Sequence, residues 1–154
     1  MRRVAHSRKG HPIVRQLALN VLKQSKVKSH DYVNEARAIG EYVKNKVRYV
    51  RDVNGMEQLH DPLTLIDQIV KGSAQGDCDD VSLLIATLLL SIGHSPFFRI
   101  VKYNPKFESF NHIYVVEYEK NGKSARRRVA LDAILKNKMM GTEVPHKFGK
   151  EIKV

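Results

Sequence analysis

The spacing of apolar and polar positions changes period along the chain. From Ile13 to Val27 apolar residues recur at Ile13, Val14, Leu17, Val21 and Leu22, the 3.6-residue spacing of an amphipathic helix. Pro12 stands near its start, where a missing N–H costs nothing. A second helix is predicted from Asp31 to about Arg48, with a stripe of Tyr32, Ala36, Ile39, Val43 and Val47 and with Arg37, Lys44 and Lys46 mostly off it. Tyr49 to Arg51 then read as extended, and Asp52 to Gly55 as a turn. After Asp61-Pro62 a short amphipathic helix from Leu63 to Val70 ends at Lys71-Gly72-Ser73. The loop from Ser73 to Gly76 leads into Asp77-Cys78-Asp79-Asp80, after which almost every side chain to Ile92 is apolar. A helix apolar on all sides belongs at the centre of a domain. Asp77 suits its N-cap, with Asp80 three residues on, and Gly93 its C-terminal stop.

Beyond Pro96 the period becomes two. Phe97, Arg99, Val101 and Tyr103 alternate with Phe98, Ile100 and Lys102, and His112 to Glu119 and Ser124 to Ala133 follow as further strands of an antiparallel sheet. From Lys136 the chain is basic and broken by Gly141, Pro145 and Gly149, which predicts a wrapping tail with an edge strand at Glu151 to Val154. Helices first, then a buried helix, then a sheet of three to four strands, is an α+β order. The 154 residues are read as one domain, with a basic arm over 1–12 and a basic tail over 136–154.

Composition narrows the classes of function. The longest apolar stretch, Val81 to Ile92, is interrupted by Ser82, Thr87 and Ser91 and is shorter than the roughly 18 apolar residues of a membrane span. The basic start has no apolar segment after it of the kind a secretory leader carries, so a cytoplasmic protein with no membrane association is expected. A single cysteine makes neither an internal disulfide nor a cysteine-rich zinc site. The net charge of +11 is uneven: residues 1–29 hold eight Lys/Arg and no acids, residues 30–119 nine bases and thirteen acids, residues 120–154 ten bases and three acids. Basic ends can hold a polyanion such as DNA or an acidic partner; the plainer alternative is a solvated face that keeps the protein soluble.

A cysteine in the first turn of a buried helix lies where free N–H groups and the positive helix end favour thiolate, although Asp77, Asp79 and Asp80 oppose it. A cationic partner would tip the balance and make Cys78 reactive below neutral pH; without one, Cys78 is a small buried hydrophobe. Of the histidines, His112 begins a strand that could pack on this helix. His6, His11 and His146 lie in the basic termini, His60 precedes a turn and His94 follows the helix stop, so these read as solvated or satisfied. Asp132 is an acid inside the apolar run Val129 to Ile134, where a carboxylate needs a partner. A two-residue type I′ turn at Asn121-Gly122 would put His112 and Asp132 on opposite faces of the sheet. A type I turn over Lys120-Asn121 with Gly122 in a bulge instead sets Glu119 against Lys123 and His112 against Ala130, with Asp132 diagonal to His112 on one face. A metal site from Asp77, Asp79, Asp80 and a histidine is the lesser alternative, because aspartates at a helix start are explained as caps.

The ordered set Val47-Arg48-Tyr49-Val50-Arg51-Asp52, Asp61-Pro62-Leu63, Gly76-Asp77-Cys78-Asp79-Asp80, Gly93, Asn111-His112 and Leu131-Asp132 resembles the transglutaminase-like superfamily, and most of all its small phage and prophage members. The resemblance implies a papain-type arrangement, with the cysteine helix packed on an antiparallel sheet. It implies Cys78 as nucleophile, His112 as general base and then acid, and Asp132 as the carboxylate that orients the imidazole, with no cofactor and no metal. The oxyanion would be held partly by the Cys78 backbone N–H, with Gln75 the nearest side-chain candidate in sequence. Asp79 stands where many cross-linking relatives have an aromatic residue, which points to hydrolysis of a peptide or isopeptide bond in a protein or peptide substrate rather than glutamine–lysine cross-linking. The resemblance also carries a second possibility: a catalytically silent fold used as a structural or assembly component, in a virion if phage-encoded, with its basic ends on DNA or an acidic partner.

Overall fold

The computed structural model describes residues 1–51, 59–102, 110–118, 128–135, 137–143, 145–146 and 148–154. In chain order its elements are α1 (Arg2–Arg8), α2 (Pro12–Gln24), α3 (Tyr32–Lys46), β1 (Arg48–Tyr49), α4 (Pro62–Val70), β2 (Gln75–Gly76), α5 (Cys78–Ser91), β3 (Phe97–Lys102), β4 (His112–Tyr118), β5 (Arg128–Leu131) and β6 (Phe148–Lys153). The fold is mixed α+β: five helices and a four-stranded antiparallel sheet of order β5-β4-β3-β6 among the described residues. No helix among them is long and apolar enough to cross a membrane.

The all-apolar helix is the centre. α5 packs against α1, α2, α3 and α4 and against β4, and Leu83, Leu84, Ile85, Leu88 and Leu89 are fully buried in it. Each such side chain contributes about 1.5–3 kcal/mol of hydrophobic free energy relative to exposure. Its polar residues are satisfied inside the core: the Thr87 hydroxyl donates to the Leu83 carbonyl at 2.7 Å and Ser91 to Leu88 at 2.7 Å. The helix ends at Gly93, whose φ of +88° closes a C-terminal turn in which the Gly93 and His94 N–H groups return to the Leu90 and Leu89 carbonyls. Buried His94 bonds through Nε2 to Glu35 Oε2 at 2.8 Å, tying the end of α5 to α3.

Several boundaries differ from the sequence expectation. The arm over 1–12 is instead a helix, α1, held by the fully buried Ala5 against α5. Its mostly polar sequence hides the short apolar contact of Val4 and Ala5. Gln75–Gly76 is not loop but a two-residue strand parallel to β1, paired Arg48↔Gln75 and Tyr49↔Gly76. The tail strand starts at Phe148 rather than Glu151 and covers the β3 edge, where Phe98 pairs with Ile152. β5 begins at Arg128 among the described residues, and the turn expected at Asp52 to Gly55 and the hairpin turn at Lys120 to Gly122 lie outside them.

Candidate active site

Cys78 is the first residue of α5, and the chain is fixed there by reciprocal caps. The Asp77 carboxylate accepts from the Asp79 and Asp80 N–H groups at 2.9 and 3.1 Å, and Asp80 returns to the Asp77 N–H at 3.3 Å. Asp80 is 1 % exposed and also accepts from the His60 N–H and meets His60 Nδ1, each at 2.7 Å. None of these caps takes the N–H of Cys78. Gly76 is required beside them, because a Cβ there would stand 2.8 Å from the Asp80 Cβ.

The same turn of α5 is bolted to β4. The Ser82 hydroxyl, one turn beyond Cys78, donates to the Ile113 carbonyl at 3.2 Å, and the Ile113 N–H faces the Cys78 sulfur. Both backbone groups of the residue after His112 therefore address the cysteine helix. The β4–β5 ladder runs from Tyr118↔Arg128 to Val115↔Leu131, leaving this end of β4 to α5.

His112 and Asp132 meet as the spacing predicts. Nε2 of His112 lies 2.8 Å from Asp132 Oδ2, both residues are 4 % exposed, and Asp132 Oδ1 accepts from the Ile134 N–H at 3.3 Å. A carboxylate only accepts, so this contact puts the ring proton on Nε2 and turns Nδ1 to the other side. The register that achieves it is not the expected one, since Ala130 opposes Val116 rather than His112. The offset is four positions along β4, an even number, so the shared face survives.

Cys78, His112 and Tyr49 open onto one cleft of about 780 Å³ between the β1 segment and the β3–β4–β6 side of the sheet. The half-buried Cys78 thiol is pushed up to about 12, first by burial and then by the Asp79 carboxylate, which accepts from the sulfur at 3.6 Å; the Ile113 N–H works in the opposite direction. This reverses the expected balance. The sequence places the helix end and the aspartates, but not the loss of water around the sulfur, which outweighs the helix end. The thiol therefore holds its proton near neutrality, and its alkylation should climb with pH well into the alkaline range, because the rate follows the thiolate fraction. Asp79→Asn removes the carboxylate that acts most strongly on the sulfur and should raise alkylation by iodoacetamide about tenfold at pH 8. An unchanged rate would show that Asp79 does not control the sulfur.

Gln75 is exposed, its amide oxygen accepts from Arg48 Nη2 at 2.7 Å, and it does not line the cleft. Strand alternation in β2 is the reason: it buries Gly76 and sends Gln75 outward. Tyr49, which the sequence gives no role of its own, does line it, and burial followed by the charges of Cys78 and Asp77 raises its phenol above the usual range. A phenol so placed stays protonated and can donate. Ligand atoms of Asp77, Cys78 and Asp79 lie within 4.8 Å of one another, a spacing the capping geometry accounts for, while Asp80 is committed to His60 and the cap. No protein-family model matches the chain, and no curated protein matches it in sequence.

Proposed function

We propose that the protein is a cysteine-dependent acyl-transfer enzyme of transglutaminase-like, papain-related type, most of all a hydrolase of peptide or isopeptide bonds. The observation that carries this reading is the buried 2.8 Å contact of His112 with Asp132 at the cleft that Cys78 lines from a helix start. His112 Nδ1 takes the Cys78 proton as sulfur attacks the carbonyl carbon, and the oxyanion is held by the Cys78 N–H and the Tyr49 hydroxyl. The C–N bond then breaks and the amine leaves with the proton from His112. Water, deprotonated by His112, splits the thioester to the carboxylic acid and restores the thiol. Because the free thiol is pushed up to about 12, proton removal belongs to the attack step and not to a resting ion pair.

That same displacement favours a second reading, a silent fold serving in assembly through its basic ends. A peptidyl electrophile separates the two. The enzyme reading expects an adduct on Cys78, located by mass spectrometry, formed at least about a hundredfold faster than by His112→Ala at pH 7. Equal, slow labelling of both proteins supports the silent fold.

A further inference from the structure

We infer that the cleft beside Cys78 takes an extended acidic peptide, seating a bulky apolar side chain against Ile100, Phe110 and Ile152 and pairing two neighbouring carboxylates with Arg2 and Arg51. The inference rests on the acyl-transfer reading of the cleft and names its substrate class. Phe110 and Ile152 are 47 % and 38 % exposed, and both line the cavity that holds Cys78. Large apolar side chains left open in one concavity beside a reactive group mark a ligand wall. Tyr49, Phe98 and Phe110 line the cleft together with Ile100, Ile113 and Ile152, and the acyl-transfer reading makes a peptide its occupant.

The charge argues the same way. Arg51 lines the cleft one residue beyond Val50, whose N–H bonds the Gly76 carbonyl next to the cysteine turn; Arg2 lines it from the start of α1. Among the described residues neither has a salt bridge. The start of the chain reaches this rim through Arg2 of α1 and its end through Ile152 of β6, so the basic groups on the lining are Arg2 and Arg51. The cleft carboxylates, Asp77 and Asp79, sit at the reacting end, where Asp77 caps the helix and Asp79 faces the thiol. Negative charge on a substrate is repelled there and welcomed away from the scissile carbonyl.

The test uses the full chain carrying Cys78→Ser and fluorescence anisotropy with equal-length labelled peptides containing Phe-Glu-Glu, Phe-Gln-Gln or Ala-Glu-Glu, and with oligo-dT. The Phe-Glu-Glu peptide should bind about tenfold tighter than either other peptide, as two partly screened charge pairs and one apolar contact allow. Arg2→Glu with Arg51→Glu should erase the preference for Glu over Gln while keeping that for Phe over Ala. Equal binding of the Glu and Gln peptides, survival of the preference after charge reversal, or oligo-dT binding as tightly as Phe-Glu-Glu would overturn the inference. Binding is read without turnover, so selective binding with an inactive wild-type protein sinks the catalytic reading alone, and turnover without acidic selectivity sinks this inference alone.

Discussion

Cys78→Ala is expected to remove acyl transfer completely and to leave the fold intact, because the sulfur is half-buried at a helix start whose caps come from Asp77 and Asp80. His112→Ala should lower turnover by about 10³- to 10⁴-fold, the scale on which members of a catalytic triad act. Asp132→Asn keeps the shape but can donate to Nε2 and so stabilise the other tautomer, with the proton on Nδ1. It should cost between about 10² and 10⁴ in kcat at little change in KM. These are measured as steady-state hydrolysis of a labelled peptide, with circular dichroism as the check on folding. Undiminished turnover by Cys78→Ala contradicts the assignment, and an Asp132→Asn protein that is fully active but thermally weakened moves Asp132 to a structural role.

The second large effect is on stability. Asp80 is buried and serves three groups: the His60 N–H, His60 Nδ1 and the Asp77 N–H. Asp80→Ala leaves these donors without their acceptor and removes half of the capping box, which should cost about 3 kcal/mol. For a domain of this size that lowers Tm by about 6–12 °C. Asp80→Asn keeps one acceptor oxygen and should cost about 1 kcal/mol. Denaturant titration measures both. A loss for Asp80→Ala below about 0.5 kcal/mol, the range of ordinary surface substitutions, would show that the first turn of α5 is not held by this carboxylate.

The sequence carried the parts of the fold that repeat over many residues. The run after Asp77 is apolar on every side and became the buried α5, and the switch to period two beyond Pro96 became the sheet. Asp132 was legible as a buried acid in need of a partner, and the parity of the strands brought it to His112. What stayed hidden depends on few residues or on tertiary contact. α1 offers only a short apolar patch, and two-residue strands such as β1 and β2 have no period to read. Register needed the true length of the β4–β5 connection, and only its parity could be argued. The state of the sulfur is hidden because the sequence displays charges but not desolvation, and desolvation is the largest influence on Cys78. Gln75 is near Cys78 in sequence, but strand alternation sends it to Arg48, while Tyr49 lies on the cleft wall.

Cys78 is proposed to become acylated with His112 as the base. The most direct measurement of this is the intact mass of the protein during reaction with an activated peptide ester, quenched in acid and followed by peptide mapping. A transient gain of one acyl mass on Cys78 is expected, decaying as free acid forms and building up at least about a hundredfold more slowly in His112→Ala. Release of acid with no acyl mass on Cys78 at any time, or the same acylation rate in His112→Ala, would contradict it.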